Sequence, residues 1–115
     1  MSLSTHVLDV SRGEPASGML VEVHLLTSAG RALVATATTN VQGRTDAPLL
    51  AERLEPGIYE LTFHAAAYFR GHGLALPEPA FLGDVVIRVG LAEAAGHYHV
   101  PLLLSPYGYS TYRGS

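Results

Sequence analysis

The sequence predicts an all-β protein, a sandwich of two sheets with one short helix. Three observations carry that expectation. Short alternations of apolar and polar residues recur along the chain, Gly- and Pro-containing turns separate them, and only one segment has the composition of a helix. Period-two alternation gives each strand one apolar face, and two stacked sheets bury such faces against each other. At 115 residues the chain is expected to form a single domain over residues 1–115. Such a domain buries roughly two thirds of the surface its unfolded form exposes.

Leu3 to Val10 reads as a first strand, followed by a turn-rich connection from Ser11 to Gly18. Met19, Val21, Val23 and Leu25 then share one face while Glu22 and His24 take the other. After the turn Thr27 to Gly30, Arg31 to Thr39 is rich in Ala, Val and Thr and suits a third strand, which Asn40 to Arg44 reverses. Pro56-Gly57 introduces Ile58 to His64, where Tyr59, Leu61 and Phe63 alternate with Glu60 and Thr62. Ala65 to Gly71 has three consecutive alanines and no proline, enough for two helical turns ended by Gly71 or Gly73. Asp84 to Val89 alternates again, and Leu91 to Gly96 connects it to the tail. The tail holds two strands, His97 to Leu104 and Tyr109 to Arg113, with Ser105 to Gly108 as the turn. Seven or eight strands in an antiparallel sandwich result.

Composition narrows the function. Charged residues make up 15% of the chain against 48% hydrophobic, below the usual quarter, so part of the exterior is expected to be covered by other subunits. A formal charge of -3 with scattered basic residues argues against a nucleic-acid or anionic-membrane partner. With no cysteine there is no disulfide framework, thiolate nucleophile or Cys-type zinc site. The N-terminal residues lack a basic segment followed by a long apolar one, and no run approaches the ~20 apolar residues of a membrane span. A cytoplasmic location is expected.

The candidates for chemistry lie at the two ends of the sequence. In the His97 strand, Tyr98, Val100, Leu102 and Leu104 form an apolar face that should be core. His97, His99, Pro101 and Leu103 occupy the opposite face, where Leu103 and Pro101 again suggest coverage by another subunit. His6 shares a side with Leu8 in the first strand, so a mixed His and Leu face recurs there, and two such faces could meet. By themselves His97 and His99 read as polar outer-face residues, and Arg44 as a solvated hairpin arginine. His-x-His on one face sets two imidazoles roughly 6 to 7 Å apart, which with a third histidine can hold zinc. No Asp, Glu or Cys stands beside the pair at ligand spacing, so neither a metal nor a cofactor is expected. Ser105 and Ser110 lack the context of a serine-hydrolase nucleophile.

Three segments together carry a family resemblance: Ser4-Thr5-His6-Val7-Leu8-Asp9, Gly43-Arg44, and His97-Tyr98-His99-Val100-Pro101-Leu102-Leu103-Leu104-Ser105-Pro106 running on to Tyr112-Arg113-Gly114-Ser115. The chain resembles, over its whole length, the 5-hydroxyisourate hydrolases of the transthyretin-related family. The terminal Tyr-Arg-Gly-Ser separates those hydrolases from transthyretin proper, a hormone carrier of the same fold. The resemblance implies a prealbumin-like sandwich of two four-stranded sheets, a short helix after the fifth strand, and a homotetramer built as a dimer of dimers with its active site in the channel between dimers. It implies catalytic roles for His6, Arg44, His99 and Ser115. A substrate-binding lining is implied from His97, Leu103, Ser110, Tyr112, Arg113 and Gly114. One departure is Gln42, where relatives often have Asp, and it bears on the hydrogen bonding of the turn.

The activity implied is hydrolysis of the small molecule 5-hydroxyisourate, whose six-membered ring opens when water attacks a cyclic acyl carbon. Such a reaction needs a base for water, a charge partner for the oxyanion and a mould for a flat, oxygen-rich heterocycle. An imidazole beside an arginine is disfavoured as imidazolium and therefore suits the base. Two rival readings are a transthyretin-like carrier that binds without turnover, and a monomeric prealbumin-like module of a larger protein.

Overall fold

The computed structural model describes residues 2–51 and 55–115. Its strands are β1 (Ser2–Asp9), β2 (Glu14–Pro15), β3 (Leu20–Thr27), β4 (Gly30–Thr38), β5 (Leu50–Ala51), β6 (Gly57–Phe63), β7 (Val85–Leu91), β8 (His97–Ser105) and β9 (Gly108–Thr111), with one helix, α1 (Ala65–Gly71). One sheet runs β2-β1-β8-β9, with β5 also paired to β1, and the other runs β4-β3-β6-β7. The expected all-β sandwich of two sheets with one short helix is what forms; β5 makes the first sheet five-stranded where the resemblance implies four strands, and the helix follows β6 where it implies the fifth strand, because the two-residue strands add to the count.

Alternation explains how the sheets stack. Leu3, Thr5, Val7 and Asp9 of β1 are buried while Ser2, Ser4, His6 and Leu8 face outward and are half-buried. Tyr98, Val100, Leu102 and Leu104 of β8 join the same core, which Val21 and Val23 of β3 and Leu61 and Phe63 of β6 close from the opposite sheet. The central strand β6 departs from the pattern, because Glu60 and Thr62 are buried too, at 9% and 7% exposed. Arg88 of the neighbouring β7 and Arg31 of β4, which reaches across β3, cover the Glu60 carboxylate.

Two features differ from the sequence expectation. The sandwich is not wholly antiparallel, since β1 and β8 pair in parallel over eight residues, Ser2 opposite His97 through Asp9 opposite Leu104. A parallel pair needs a long crossover, and here the whole of the other sheet lies between the two strands in sequence. Nine strands are present among the described residues because two are only two residues long. Glu14–Pro15 pairs with β1 inside the expected turn-rich connection, and Leu50–Ala51 caps the other end of β1, where no alternation marks it.

Helix α1 forms where the three alanines predict it, burying Ala65, Ala66, Tyr68 and Phe69. Gly73 follows it with φ 84°, and its N–H donates to the Arg70 carbonyl. The Tyr68 hydroxyl donates to the fully buried Asp9 carboxylate at 2.9 Å, which ties the helix to the end of β1. In β8, Pro101 has no N–H to give. The Thr111 hydroxyl donates to the Pro101 carbonyl at 2.7 Å, and β9 pairing, interrupted after Thr111, resumes in register at His99 and Gly114.

Candidate active site

Parallel pairing of β1 with β8 puts His6 and His99 on the outward face of one sheet. Ser4 stands opposite His99 and His6 opposite Pro101, so the histidines are diagonal neighbours with α-carbons roughly 8 Å apart by strand geometry. The two mixed His and Leu faces therefore meet, with Leu8 directly opposite Leu103.

Arg44 reaches this face through a turn folded onto β1. The Asn40 side chain accepts from the N–H groups of Gln42 and Arg44, its carbonyl accepts from Gly43 N–H, and its own N–H donates to the Arg44 carbonyl. The Gly43 carbonyl then accepts from Val7 N–H at 2.8 Å. Gly43 has φ 75°, and a β-carbon there would stand 2.3 Å from the Val7 carbonyl oxygen, so glycine is required on both counts. Gln42 supplies its main-chain carbonyl, which accepts from His6 Nε2–H at 2.9 Å. The departure at residue 42 thus leaves the turn's bonding intact, since a backbone atom makes the contact. The same bond fixes the His6 tautomer and leaves Nδ1 as the acceptor of the neutral ring.

His99 responds to its burial and to both of these side chains. Burial first, then the charges of Arg44 and His6, hold its pKa below the ordinary imidazole value. Its Nδ1 lies 2.8 Å from Ser4 Oγ, and one rung away His97 Nδ1 lies 3.3 Å from Ser2 Oγ. A depression of about 150 Å³ is lined by Ser2, Ser4, His97, His99 and Ser115, and a second of about 160 Å³ by Ser4, Arg44 and Asp46 among others. Ser4 is their common wall.

The tail is only partly gathered to this place. Gly114 N–H donates to the His99 carbonyl at 2.8 Å, which sets Ser115 beside the histidines. Arg113 lines neither depression; its guanidinium stands 4.7 Å over the Tyr98 ring and donates to the His97 carbonyl. With Tyr112, Arg88 and His99 it lines a larger cavity of about 340 Å³ between β7 and the β8/β9 edge. Leu103 and Ser110 face each other across β8 and β9, four residues along the strand from His99, about 13 Å. Within one chain they extend the outward face and do not touch the two depressions.

Residue-type patterns alone do not single out Ser4, which becomes meaningful only once the strand beside it is known, whereas Asn three residues before Gly43 is a recognisable turn signal. Among the described residues no group of three or more His, Cys, Asp or Glu side chains is placed to hold a metal ion.

Comparison with known proteins bears on the family and the fold. A model of the HIUase/Transthyretin family matches residues 3–114. The chain is 54% identical over 114 residues to 5-hydroxyisourate hydrolase 2 of Rhizobium meliloti, covering 98% of this chain and 95% of that one. Among solved structures it is similar to the 5-hydroxyisourate hydrolase of Klebsiella pneumoniae, with TM-score 0.83, 36% identity and full coverage of both chains. It is also similar to transthyretin of Sparus aurata, with TM-score 0.87, 28% identity, and coverage of 98% of this chain and 96% of that one.

Proposed function

Because the chain belongs to the HIUase/Transthyretin family, we propose that its outward histidine face is where it opens the ring of 5-hydroxyisourate. The activity is that of its curated relatives, hydrolysis of 5-hydroxyisourate to 2-oxo-4-hydroxy-4-carboxy-5-ureidoimidazoline in the degradation of urate to allantoin.

The observation that carries the site is the convergence on His99 of His6 from β1 and Arg44 from the turn, with its pKa lowered by burial and by both neighbours. A histidine so placed is neutral at pH 7 and offers a lone pair to water. Water oxygen attacks the acyl carbon as the imidazole takes its proton. Arg44 meets the developing oxyanion with fixed charge and planar donors, which a lysine would match poorly. When the intermediate collapses, the acyl C–N bond breaks and the imidazolium returns the proton to the leaving nitrogen. His6, held at Nε2 by the Gln42 carbonyl, keeps its ring oriented beside the reacting centre and shuttles or orients the proton. Ser115 and His97 line the depression at His99.

The remaining lining residues belong to an assembly. Leu8 and Leu103 make an apolar stretch on the same outward face, and a second dimer laid on that face would turn it into a closed channel. Leu103, Ser110, Tyr112, Arg113 and Gly114 then bound the substrate in a homotetramer built as a dimer of dimers. Support for this comes from the family and from the apolar character of the face. Among the described residues no helix is long and apolar enough to cross a membrane. The cytoplasmic location remains an expectation of the sequence.

The test is direct. Substrate generated from urate by a urate oxidase is followed by its ultraviolet absorbance, and decay no faster with the protein than without it ends the reading. Folded His6→Asn, His99→Asn and Arg44→Gln variants with parental rates would remove those residues from the mechanism.

A further inference from the structure

What His99 can do depends on which ring nitrogen faces the substrate, and a residue with no role so far decides that. We propose that Ser4 is a positioning residue: its hydroxyl oxygen accepts from His99 Nδ1–H and so leaves the Nε2 lone pair for the attacking water. The proposal rests on the function argued above and assigns the general base to His99.

Parallel pairing sets Ser4 directly opposite His99 on the same outward face, and Ser4 Oγ stands 2.8 Å from Nδ1. The other side of the ring is also occupied. Gly114 lies against the carbon edge, such that a β-carbon on it would come within 2.5 Å of His99 Cδ2 and 3.2 Å of Cγ. With Nδ1 held by β1 and the Cδ2 edge covered by the tail, the edge of the ring left open is Nε2 with Cε1.

The choice of a hydroxyl has a chemical consequence. A base working through Nε2 carries its hydrogen on Nδ1 before and after it takes the proton from water, and Ser4 Oγ can accept from Nδ1–H in both states. Orientation is thus kept through the catalytic step. A carboxylate in that place would also stabilise the imidazolium, as the buried aspartate of a serine-protease triad does. A neutral acceptor orients the ring without that bias. The groups whose charge acts on His99 are Arg44 and His6, which with burial disfavour its charged form; His97 and Ser115 stand on the wall of the same depression, and Arg88, Tyr98, Tyr112 and Arg113 on the larger cavity that His99 also lines.

Nitrogen-15 NMR of the imidazole reads the tautomer without substrate, so it separates this proposal from the assignment of activity. In the parent protein above the titration range, His99 is expected to show the Nδ1–H form. Ser4→Ala should lose that preference and lower kcat roughly tenfold or more with little change in KM, because the ring is misplaced while the pocket keeps its contacts. Ser4→Thr keeps a hydroxyl and should restore both the tautomer and most of the rate. Ser4→Asp should move the acid limb of the kcat profile to higher pH as the carboxylate favours the imidazolium. A parental tautomer and a parental kcat in Ser4→Ala would overturn the proposal. Failure of the parent to hydrolyse 5-hydroxyisourate would instead end the functional reading, with the NMR signature still deciding what Ser4 does to His99.

Discussion

Gly114 is packed so closely on His99 that a β-carbon at residue 114 would stand 2.5 Å from ring atom Cδ2 and 3.3 Å from Pro101 Cγ. Its N–H meanwhile holds the His99 carbonyl, so the tail cannot simply step away. Gly114→Ala should therefore swing the imidazole off its bonds. A displacement near 1 Å costs on the order of 10²-fold in rate, and the loss should appear in kcat while circular dichroism and the unfolding midpoint stay close to parental. A fully active Gly114→Ala protein would show that the contact is loose.

These relationships were not equally visible beforehand. The helix over 65–71 was legible because three alanines without a proline suit little else between two alternating strands. Strand faces in β1, β3 and β8 followed from period-two alternation, and the outward placement of His6 and His99 with them. Strand neighbours did not follow, because alternation fixes which face a residue takes and says nothing of which strand lies beside it. The parallel β1/β8 pair, and through it the Ser4 contact, was hidden for that reason. The place of Arg113, over the Tyr98 ring and on one cavity wall with Tyr112, was hidden for the same cause, since it depends on how the tail meets β8.

Arg44 should control the pH dependence of the rate. His99 has a depressed pKa, with burial the larger cause and Arg44 the next, so the neutral base persists below the ordinary imidazole value of about 6.5. In Arg44→Gln the pKa rises back toward that value, and the acid limb of kcat/KM shifts to higher pH. The plateau should also fall by roughly 10²- to 10³-fold through loss of the oxyanion partner. Arg44→Lys keeps the charge without the planar fork, so its limb should stay near the parental position while the plateau drops. Identical acid limbs in the parent and Arg44→Gln would refute the coupling.

Gly43 is a stability test of how the turn is seated. Any side chain there combines a left-handed φ of 75° with a backbone clash at 2.3 Å from the Val7 carbonyl, and a main-chain oxygen in a central strand has nowhere to go. Gly43→Ala should lose about 2 kcal/mol or more of stability, read as a lower urea midpoint at constant m-value. Gln42→Ala, one residue earlier, should be within about 0.5 kcal/mol of parental and close to fully active, because only its carbonyl is used. Equal midpoints for the two variants would mean that the turn is not pressed onto β1.

Glu60 supplies a stability signal independent of the site. Its carboxylate accepts from Arg88 at 2.9 and 3.1 Å and from Arg31 at 3.1 Å, on the far sheet from the histidines. Bonding to Arg88 first, and then the charges of both arginines against an opposing cost of burial, lowers its pKa in the folded state. A carboxylate with a depressed folded value contributes stability that is complete above its unfolded value, about 4.3, and is lost as pH falls through the folded one. Glu60→Gln should accordingly melt at a lower temperature than the parent at pH 7, and the gap should narrow below pH ~4 as the parent's own carboxylate becomes protonated. Hydrolysis by the folded variant at pH 7 should stay near parental, since neither arginine lines the depressions at His99 and Arg44. A gap that persists unchanged into acid would assign the loss to packing around residue 60 in place of charge.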